Sequence, residues 1–473
     1  MELMDAKALE QLIKRVVEAE LSGKSATSTS CGYRKPASKS GIFDTVDEAV
    51  VQAKRAQEKY ADLSLAQRKE VITAIRAATL PKIEIYARDS AEETGLGNAK
   101  DKIIKNKIAI EGTPGVEDLI TGVQTGDYGL TLYELSPYGV VGAITPSTNP
   151  TETIICNSIG MLAAGNAVIF APHPGAKNVC LSLIEELNNV VRETCGIDNL
   201  IVTTQTPSVE NAKEMMEHPD IPILAVTGGE AVVKVAMKSG KKVLAAGAGN
   251  PPVLVDETAN IELAAKNIVN GASFDHNILC IAEKSVLVVE SVADYLIFQM
   301  EKQNALLIQN QGDIDKLMGA VLVNGEINRT LIGKSVATIL EAAGITCDFS
   351  PRLIMVEVEK GHPLVMKEQL MPVLPIVRLP DFEAVLQEAI NVEQKLYHTA
   401  IMHSQNIPRL TLAGRKLQTS IFVKNGPSYA GLGFEGEGDV SYTIATPTGE
   451  GTTTARHFAR TRRCVLTDGF SIR

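Results

Sequence analysis

Apolar residues follow two different spacings along most of this chain, and the two spacings alternate. Runs rich in β-branched residues occur at 138–146, 167–172 and 221–229, and each run ends in turn-forming residues. Segments with helical periodicity, such as 151–165 and 178–196, separate these runs. Strands that are apolar at nearly every position are typical of a parallel sheet covered by helices on both faces.

A second series of strand and helix patterns runs from about residue 251 to residue 426. The two series predict an α/β fold with two lobes and no internal repeat of fixed period. We expect helices throughout 47–60 and 65–95. We also expect a strand that starts at Cys280 and continues to Glu290.

The first 40 residues have a different pattern. Apolar residues at positions 9, 12, 13, 16 and 17 form a stripe at helical spacing along Asp5–Leu21, which predicts a short amphipathic helix within 1–21. Residues 22–40 are rich in Ser, Thr, Gly and Lys, which predicts a flexible linker. A helix tethered in this way either docks on its own globular part or binds another protein, and the pattern favours neither.

The composition excludes several classes of function. A formal net charge of −10 argues against nucleic-acid binding, because phosphate contacts need clustered Lys and Arg. The one basic cluster, Arg456–Cys464, is typical of a solvated face or a subunit contact. The seven cysteines are scattered and include no C-x-x-C pair, which predicts neither a disulfide framework nor a metal site.

The chain also lacks membrane signals. No uninterrupted apolar run approaches the roughly 18–20 residues that cross a bilayer. The N-terminus does not have the cationic-then-apolar order of a secretory signal. We therefore expect a soluble cytoplasmic protein with no membrane partner.

Polar segments that contain glycine or proline follow three of the predicted strands, at Ile144–Thr153, Ala171–Asn178 and Val226–Ala231. In open parallel sheets ligands bind beyond the carboxyl ends of the strands, so we expect a ligand site here. Gly228 and Gly229 open a predicted helix, where backbone amides can face a phosphate. Two glycines after a strand are also an ordinary turn.

Cys280 stands where the polar loop FDHNIL gives way to apolar sequence. From its position alone it could be a packed core residue, a metal ligand or a nucleophile. Cys156, Cys180 and Cys195 lie in helical apolar patterns and are predicted to be core residues.

Four motifs, in order, resemble the aldehyde dehydrogenase superfamily over nearly the whole chain from Gly41. They are TPSTNPT from Thr145, VTGG from Val226, NILCIAEK around Cys280 and KEQLMPVLPIV from Lys367. The resemblance implies a Rossmann-type cofactor domain, an α/β catalytic domain and a small β oligomerisation element. The implied boundaries are 41–246 for the cofactor domain (with 122–140 contributing to oligomerisation), 247–430 for the catalytic domain, and 431–473 for a return to the cofactor domain and the oligomerisation strands.

The resemblance also implies the chemistry. The Cys280 thiolate would attack an aldehyde carbonyl, and hydride would pass to a nicotinamide, so that a thioester remains on the sulfur. The Asn149 side-chain amide and the Cys280 backbone N–H would stabilise the negative oxygen. Glu368 would hold the nicotinamide ribose. The other residues assigned to cofactor binding are Thr145, Pro146, Ser147, His173, Pro174, Thr227, Gly228, Gly229 and Gly247.

One departure from the superfamily pattern changes the implied reaction. Hydrolytic members activate water with a glutamate, but Leu244–Asp256 has no carboxylate before Asp256. Without a general base at that place, a thioester awaits a better nucleophile such as a thiol. The departure resembles the CoA-acylating branch, as do HTAIMHSQN and SIFVKNGPSYAGLG. The resemblance therefore implies conversion of aldehyde, coenzyme A and NAD⁺ to acyl-CoA and NADH.

Three assignments within this branch stay open. His398 resembles a histidine proposed to assist thiol transfer, and a structural role explains it nearly as well. His276, four residues before Cys280, is not expected to be the base. The segment Ala171–Asn178 lacks the lysine that commonly grips the adenosine ribose, so NADP stays open beside NAD.

The resemblance extends to location and substrate. The N-terminal helix on its linker resembles the encapsulation peptides of enzymes packaged in bacterial microcompartments, which implies a shell-protein partner and a place in the compartment lumen. NPTETI and NGPSYAGLG resemble the propionaldehyde enzymes of propanediol use more than the acetaldehyde enzymes of ethanolamine use. The segments 128–140 and 455–473 resemble the family's oligomerisation strands, which implies a homodimer or homotetramer. A hydrolytic dehydrogenase and a non-catalytic compartment scaffold are the alternatives.

Overall fold

The computed structural model describes residues 40–472. The predicted helix at 1–21 and the predicted linker at 22–40, apart from Ser40, lie outside the described residues. The described chain alternates strands and helices, as the apolar pattern predicts. The strands are β1 (Ile42–Phe43), β2 (Gly122–Gly126), β3 (Gly129–Pro137), β4 (Val140–Thr145), β5 (Ala167–Pro172), β6 (Ile201–Thr204), β7 (Ile223–Thr227), β8 (Lys242–Ala246), β9 (Pro252–Val255), β10 (Ser285–Val289), β11 (Ala305–Ile308), β12 (Leu322–Val323), β13 (Glu326–Ile327), β14 (Leu353–Glu357), β15 (Val373–Leu379), β16 (Thr399–His403), β17 (Ile421–Lys424), β18 (Ile444–Ala445), β19 (Gly451–Thr452) and β20 (Ala459–Thr467). The helices are α1 (Val46–Ala61), α2 (Leu65–Thr79), α3 (Ile83–Thr94), α4 (Ala99–Gly112), α5 (Pro150–Ala163), α6 (Lys177–Cys195), α7 (Val209–Glu217), α8 (Glu230–Met237), α9 (Ile261–Ser273), α10 (Glu290–Glu301), α11 (Gln311–Val321), α12 (Val336–Ala343), α13 (Pro363–Met366), α14 (Phe382–Glu393) and α15 (Ile407–Leu417).

Two parallel sheets form the body of the protein. The first has six strands in the order β1-β6-β5-β4-β7-β8. The second has seven strands in the order β11-β14-β15-β10-β9-β16-β17. Every residue of β4 and β10 is buried. These apolar runs therefore belong to sheets covered on both faces, as the sequence predicts.

One apolar cluster joins the two sheets. It includes Val141 and Val226 of the first sheet and Val253 and Val286 of the second, all without exposed surface. Cys156 and Cys180 are buried within it, as predicted, whereas Cys195 at the end of α6 is only partly buried. The continuity of this cluster fixes the two lobes against each other, and the loops between them form the site described below.

A third, smaller sheet stands apart from the two parallel sheets. It is antiparallel, with the order β2-β3-β20, and its longest pairing runs from Ala459 opposite Pro137 to Thr467 opposite Gly129. The predicted segments 128–140 and 455–473 therefore contribute the paired strands β3 and β20, respectively, to one sheet. Eight of the nine residues of β20 are exposed, so the outer edge of this sheet faces solvent in a single chain.

Two sequence predictions about element boundaries are wrong. The helix expected over 65–95 is interrupted by a 3₁₀ turn at Leu80–Lys82, because Pro81 has no N–H to continue the helical hydrogen bonds. The strand expected to start at Cys280 starts five residues later, at Ser285. In the intervening segment the carbonyl oxygens of Leu279 and Glu283 accept from buried side chains, and only the Lys284 N–H, which donates to the Pro251 carbonyl oxygen, leads into the pairing with β9.

Within residues 40–472, no helix combines the length and the apolar character that crossing a membrane requires. In the same part of the chain, no group of three or more His, Cys, Asp or Glu side chains is placed to hold a metal ion.

Candidate active site

The strand order of the first sheet reverses at β4. Strands β5 and β6 continue on one side of β4, whereas β7 and β8 lie on the other side. The loops that leave the carboxyl ends of β4 and β7 therefore diverge, and such a reversal is where open α/β sheets leave a crevice for ligands. These two loops begin after Thr145 and Thr227, as the sequence predicts for the ligand site.

One cavity of about 290 Å³ occupies this crevice and extends to the second sheet. Cys280 and Glu368 reach it from the amino ends of β10 and β15. The cavity thus lies between the carboxyl edge of the first sheet and the amino edge of the second. The predicted site residues that line it are Thr145, Pro146, Ser147, Asn149, His173, Pro174, Thr227, Gly228, Gly229, Gly247, Cys280 and Glu368. Of the predicted residues, His398 alone does not line it.

The loop before Cys280 has an unusual backbone. Asp275, His276 and Asn277 have φ angles of 47°, 53° and 64°, in the left-handed region that L-residues seldom occupy. Side-chain contacts hold them there, including His276 Nδ1 at 3.1 Å from the Gly333 carbonyl oxygen. This contact gives His276 a structural role, and that it is not the base stays a prediction. The left-handed turn also explains why the chain does not enter a strand at Cys280.

Lys284 lies buried behind this loop. Its ammonium group donates to the carbonyl oxygens of Asn277 and Leu279, at 2.9 Å each, and to Asn277 Oδ1 at 2.5 Å. Burial lowers the pKa of Lys284 to about 8, although the negative charge of Glu368 opposes that shift. Three acceptors for three N–H groups match an ammonium ion, so Lys284 is a cation at neutral pH.

The side chains around Cys280 do not activate its thiol. Burial and, after it, the charge of Glu368 raise the pKa of Cys280 to about 12, and the cation of Lys284 only partly offsets this. With these neighbours the thiol is protonated at neutral pH. A nucleophilic Cys280 needs further positive charge in the cavity or a group that removes its proton.

Asn149 presents its side chain to the cavity. It is the N-cap of α5, yet its side chain makes no capping bond to the helix, although Asn is a preferred capping residue. Its Nδ2 donates to Thr148 Oγ1 at 3.1 Å, and its Oδ1 is buried with no partner among the described residues. One N–H of the amide remains available to a ligand oxygen, which fits the expected role beside a developing oxyanion.

Four buried charges connect the Asn149 loop to the Cys280 loop. Asp275 Oδ2 lies 3.1 Å from Lys102 Nζ and 2.6 Å from Lys105 Nζ, and Lys105 also lies 3.4 Å from Glu152. Both lysines donate to the Thr148 carbonyl oxygen, at 3.3 and 3.4 Å. Each buried charge thus has an opposite partner, as burial requires. Because the residues beside Asn149 and before Cys280 share these lysines, the cluster fixes one loop relative to the other.

Glu368 is the only carboxylate that lines the cavity within the described part of the chain. Its Oε1 accepts from the Gly249 N–H at 3.4 Å. Burial raises the pKa of Glu368 to about 7, against the opposing charge of Lys284. The group is therefore divided between its charged and neutral forms at neutral pH.

His398 lies behind the cavity wall, next to Gly249. A β-carbon on residue 249 would lie 2.6 Å from the Cys280 carbonyl oxygen and 2.9 Å from His398 Cγ, so only glycine allows this approach. The His398 Nδ1 pairs with Thr399 Oγ1 at 2.9 Å, and its Nε2 is buried with no partner among the described residues. Burial, together with the charge of Lys284, lowers the pKa of His398 to about 4, so the ring is neutral.

The carboxyl end of β7 fits a dinucleotide phosphate. Gly229 is the N-cap of α8, and a β-carbon on it would meet no atom within 4 Å, so the helix N-terminus is open to the cavity. The helix dipole and the N–H groups of the first turn favour an anion there, whereas the Gly228 N–H already donates to the Ala246 carbonyl oxygen at 3.4 Å. Thr145 Oγ1 is a further buried polar atom with no partner in residues 40–472. That Gly228 and Gly229 hold a pyrophosphate and Glu368 a ribose stays a prediction.

Comparison with known proteins agrees with this geometry. Residues 39–436 match the sequence model of the aldehyde dehydrogenase family. The chain belongs to the aldehyde dehydrogenase family. It is 54% identical to the CoA-propanoylating propanal dehydrogenase of Salmonella typhimurium, over 99% of this chain and 100% of that protein.

Two solved aldehyde dehydrogenases resemble this one closely. The propionaldehyde dehydrogenase of Rhodopseudomonas palustris, solved with bound CoA and an acylated cysteine, is 49% identical with a TM-score of 0.90, over 92% of this chain and 99% of that one. The propionaldehyde dehydrogenase of a Clostridium phytofermentans fucose utilisation microcompartment is 44% identical with a TM-score of 0.90, over 92% of this chain and 100% of that one.

Several residues of this aldehyde dehydrogenase site escaped the sequence analysis. Lys102 and Lys105 lie in a helix rich in lysine, and nothing in that pattern separates them from exposed lysines. Lys284 lies in the NILCIAEK motif, within a strand that was predicted to be buried, and this position is a signal because a fully buried lysine needs partners. Gly249 was within a quoted segment as well, but only the approach of Cys280 and His398 explains it.

Proposed function

We propose that this aldehyde dehydrogenase oxidises a short aliphatic aldehyde to its coenzyme A thioester and reduces NAD. The observation that carries the proposal is one cavity in which Cys280 and Asn149 meet the dinucleotide-binding loops, while the hydrolytic glutamate of the superfamily is missing from 244–255. Propionaldehyde is the expected substrate, because the Salmonella and Rhodopseudomonas relatives act on it by name. Acetaldehyde should also react, since one methylene discriminates by only about 1–3 kcal/mol.

The oxidation half proceeds on Cys280. The Cys280 thiol loses its proton to solvent, a step that the positive charge of a bound NAD⁺ nicotinamide would favour, and the thiolate adds to the aldehyde carbon. The carbonyl oxygen takes up the negative charge beside the Asn149 amide and the Cys280 N–H. Collapse of this adduct expels hydride from carbon and leaves a thioester on the sulfur. The dinucleotide accepts the hydride and so removes two electrons from the aldehyde. The Rhodopseudomonas relative with an acylated cysteine supports such an intermediate.

The transfer half returns Cys280 to its starting form. The sulfur of coenzyme A attacks the thioester carbonyl, a second oxyanion forms at the same two donors, and its collapse releases Cys280 as thiolate. His398 is the proposed acceptor of the coenzyme A thiol proton, because its ring is neutral and its Nε2 is unpaired among the described residues. The Clostridium relative has been solved with a cysteine and with a histidine each replaced by alanine. Those two positions are as far apart in that sequence as Cys280 and His398 are in this one.

Glu368 gives a second candidate function. It borders the same cavity as Cys280, and a carboxylate with a pKa of about 7 is suited to general-base work near neutral pH. If Glu368 activated water over the thioester, the product would be a free carboxylic acid. Asp256 is not a candidate, because it is buried in bonds to Ser404, Thr258 and Arg409.

The assay that separates these functions omits coenzyme A. We expect a burst of NADH, no more than one per active site, and then no turnover until coenzyme A is added. Steady NADH formation with carboxylic acid as product would overturn the acylating reaction in favour of hydrolysis. Cys280→Ala should abolish both burst and turnover. If compartments that contain Cys280→Ala behaved like those that contain the wild type, the protein would be a non-catalytic scaffold instead.

The dinucleotide preference rests on the charge of the cavity. The described lining has no carboxylate other than Glu368, and an acidic partner for the ribose 2′-hydroxyl is a common device for selecting NAD. We therefore propose that NADP is accepted beside NAD. Comparison of kcat/KM for the two dinucleotides tests this, and a preference for NAD above about 10³-fold would contradict it.

We propose that the N-terminal segment 1–21 binds a microcompartment shell protein, which would place the enzyme in the lumen. The Clostridium relative comes from such a compartment, and an amphipathic helix too short to be stable alone would order on a complementary groove. Deletion of residues 1–21 should leave kcat unchanged and release the enzyme from purified compartments. Retention in the compartments would refute this role.

We also propose that β3 and β20 contribute to a homodimer or homotetramer. Strand β20 has an unpaired edge and exposed apolar residues, including Val465 and Leu466. Light scattering of the intact protein should give two or four copies, and deletion of 459–473 should give monomers. A monomeric intact protein would contradict the proposal.

A further inference from the structure

The peptide unit between Leu279 and Cys280 is held on one side only. Its carbonyl oxygen accepts from the Lys284 ammonium at 2.9 Å and from the Ala282 N–H at 3.1 Å. Its N–H belongs to Cys280 and donates to no other residue within 40–472. The bond is trans, as are all described peptide bonds, so the N–H points away from the carbonyl and thus away from Lys284.

Lys284 therefore has two effects on the same N–H. It fixes the plane of the peptide, together with its bonds to the backbone and side chain of Asn277. It also withdraws electron density through the carbonyl oxygen, because a charge-assisted hydrogen bond to a carbonyl polarises the attached N–H and strengthens it as a donor. Neither effect requires Lys284 to touch a substrate.

We propose that Lys284 is a positioning residue for the oxyanion: by binding the Leu279 carbonyl oxygen, it orients and strengthens the Cys280 N–H as a donor to the negative oxygen of the adduct. The inference rests on the proposed function, because both halves of that reaction pass through an oxyanion on a carbon bound to Cys280. It adds to that function a residue that the reaction needs but that no reacting atom contacts.

A different role for Lys284 must be separated from this one. The lysine also favours the Cys280 thiolate by its charge, so its removal should make the thiol harder to ionise. Alkylation of Cys280 by iodoacetamide distinguishes the two roles. It is a displacement at a saturated carbon that needs the thiolate and forms no oxyanion, so it reports on the sulfur alone.

The experiment compares Lys284→Met with the wild type in two measurements. The first is the rate of the NADH burst with saturating propionaldehyde and NAD, without coenzyme A. The second is the rate of alkylation at the same pH, which is proportional to the thiolate fraction of Cys280. We expect the burst to slow by about 10- to 100-fold more than alkylation does, somewhat less than the loss of a whole oxyanion donor.

Two further variants keep the test decisive. Ser285→Ala removes the hydroxyl of a neighbouring buried residue whose Oγ has no partner among the described residues, and it should change neither measurement. Lys284→Arg retains a cation and should restore part of the burst rate. If Lys284→Met does not fold, which circular dichroism and light scattering would reveal, Lys284→Gln gives the same comparison with a neutral donor.

Each outcome has one meaning. A burst that slows far more than thiolate alkylation supports the inference. Equal slowing of both, or no slowing of the burst, overturns it. The proposed function fails separately, if wild-type protein gives no burst or turns over without coenzyme A.

Discussion

The backbone of Gly249 packs directly against the backbone of Cys280. A β-carbon at residue 249 would lie 2.6 Å from the Cys280 carbonyl oxygen and 2.9 Å from His398 Cγ. The segment that lacks the hydrolytic glutamate is thus the segment that packs against the nucleophile. The small residues in this segment are therefore explained sterically as well, because a larger side chain would collide with Cys280.

Gly249→Ala should therefore displace the Cys280 loop. We expect kcat to fall by about 10²-fold or more, since displacements near 1 Å have effects of that size. Dinucleotide affinity, measured by fluorescence titration, should change little. Gly319→Ala is the matched control, because it lies in helix α11 with no atom near the added carbon and should leave kcat unchanged. Full activity of Gly249→Ala would mean that the loop position is not critical.

Asp275→Asn tests the four buried charges. The substitution leaves Lys102 and Lys105 with only Glu152 as counter-charge, and breaking a buried ion pair costs about 3–5 kcal/mol. Urea unfolding should give that loss of stability at pH 7. Asp220→Asn, which breaks an exposed ion pair with Lys54, should change the urea concentration at the midpoint of unfolding little.

The same variant has a defined pH dependence. Burial alone would raise the pKa of Asp275, but Lys105 and Lys102 outweigh burial and lower it. A carboxyl with a lowered folded-state pKa contributes stability above its unfolded pKa, near 4, and loses it as the pH falls through the folded value. The difference between wild type and Asp275→Asn should therefore be constant from pH 5 to 8 and should narrow only in more acidic solution. A difference that narrows near pH 6 would show that the pKa is not lowered.

How much of this site the sequence predicts depends on the range of the interactions. The loops after Thr145 and Thr227 were predicted correctly, because apolar runs locate parallel strands and their carboxyl ends share one edge. The same rule does not find Cys280 or Glu368, which lie at amino ends of the second sheet. Their placement in the sequence analysis came from resemblance and not from the strand pattern.

Long-range pairing explains what was missed. Asp275 meets Lys102 and Lys105 from more than 160 residues away, so no local pattern indicates that these lysines are buried. Those contacts stabilise the left-handed turn at 275–277. The strand that the sequence predicts from Cys280 therefore begins only at Ser285. The position of His398 behind Gly249 likewise depends on packing between the two lobes.

Glu368→Gln tests the electrostatic link between Glu368 and the thiol. The carboxylate contributes to the raised pKa of Cys280, after burial, so its removal should lower that pKa. A decrease of one unit in the pKa of Cys280 raises the thiolate fraction about tenfold, so alkylation by iodoacetamide at pH 7 should accelerate several-fold. KM for NAD should rise by about 10-fold if Glu368 holds the ribose. Glu326→Gln, which removes an exposed partner of Lys367, should leave both unchanged. Slower alkylation by Glu368→Gln would contradict the sign of this interaction.

His398→Ala tests whether His398 accepts a proton only in the coenzyme A half of the reaction. His398 is expected to serve only the attack of coenzyme A, so the NADH burst without coenzyme A should keep its rate, while steady turnover with coenzyme A should fall by about 10²-fold. His403 provides a matched control, because it is the last residue of β16 and His398 immediately precedes that strand. It is equally buried, burial lowers its pKa to about 4, and its Nε2 is unpaired among the described residues. His403→Ala should reduce stability without altering the ratio of burst rate to turnover. Because both rings are neutral well above pH 4, neither half-reaction should show an acidic limb near pH 6.5 that His398→Ala removes. A burst slowed as much as turnover would assign His398 to the support of the Cys280 loop through Gly249.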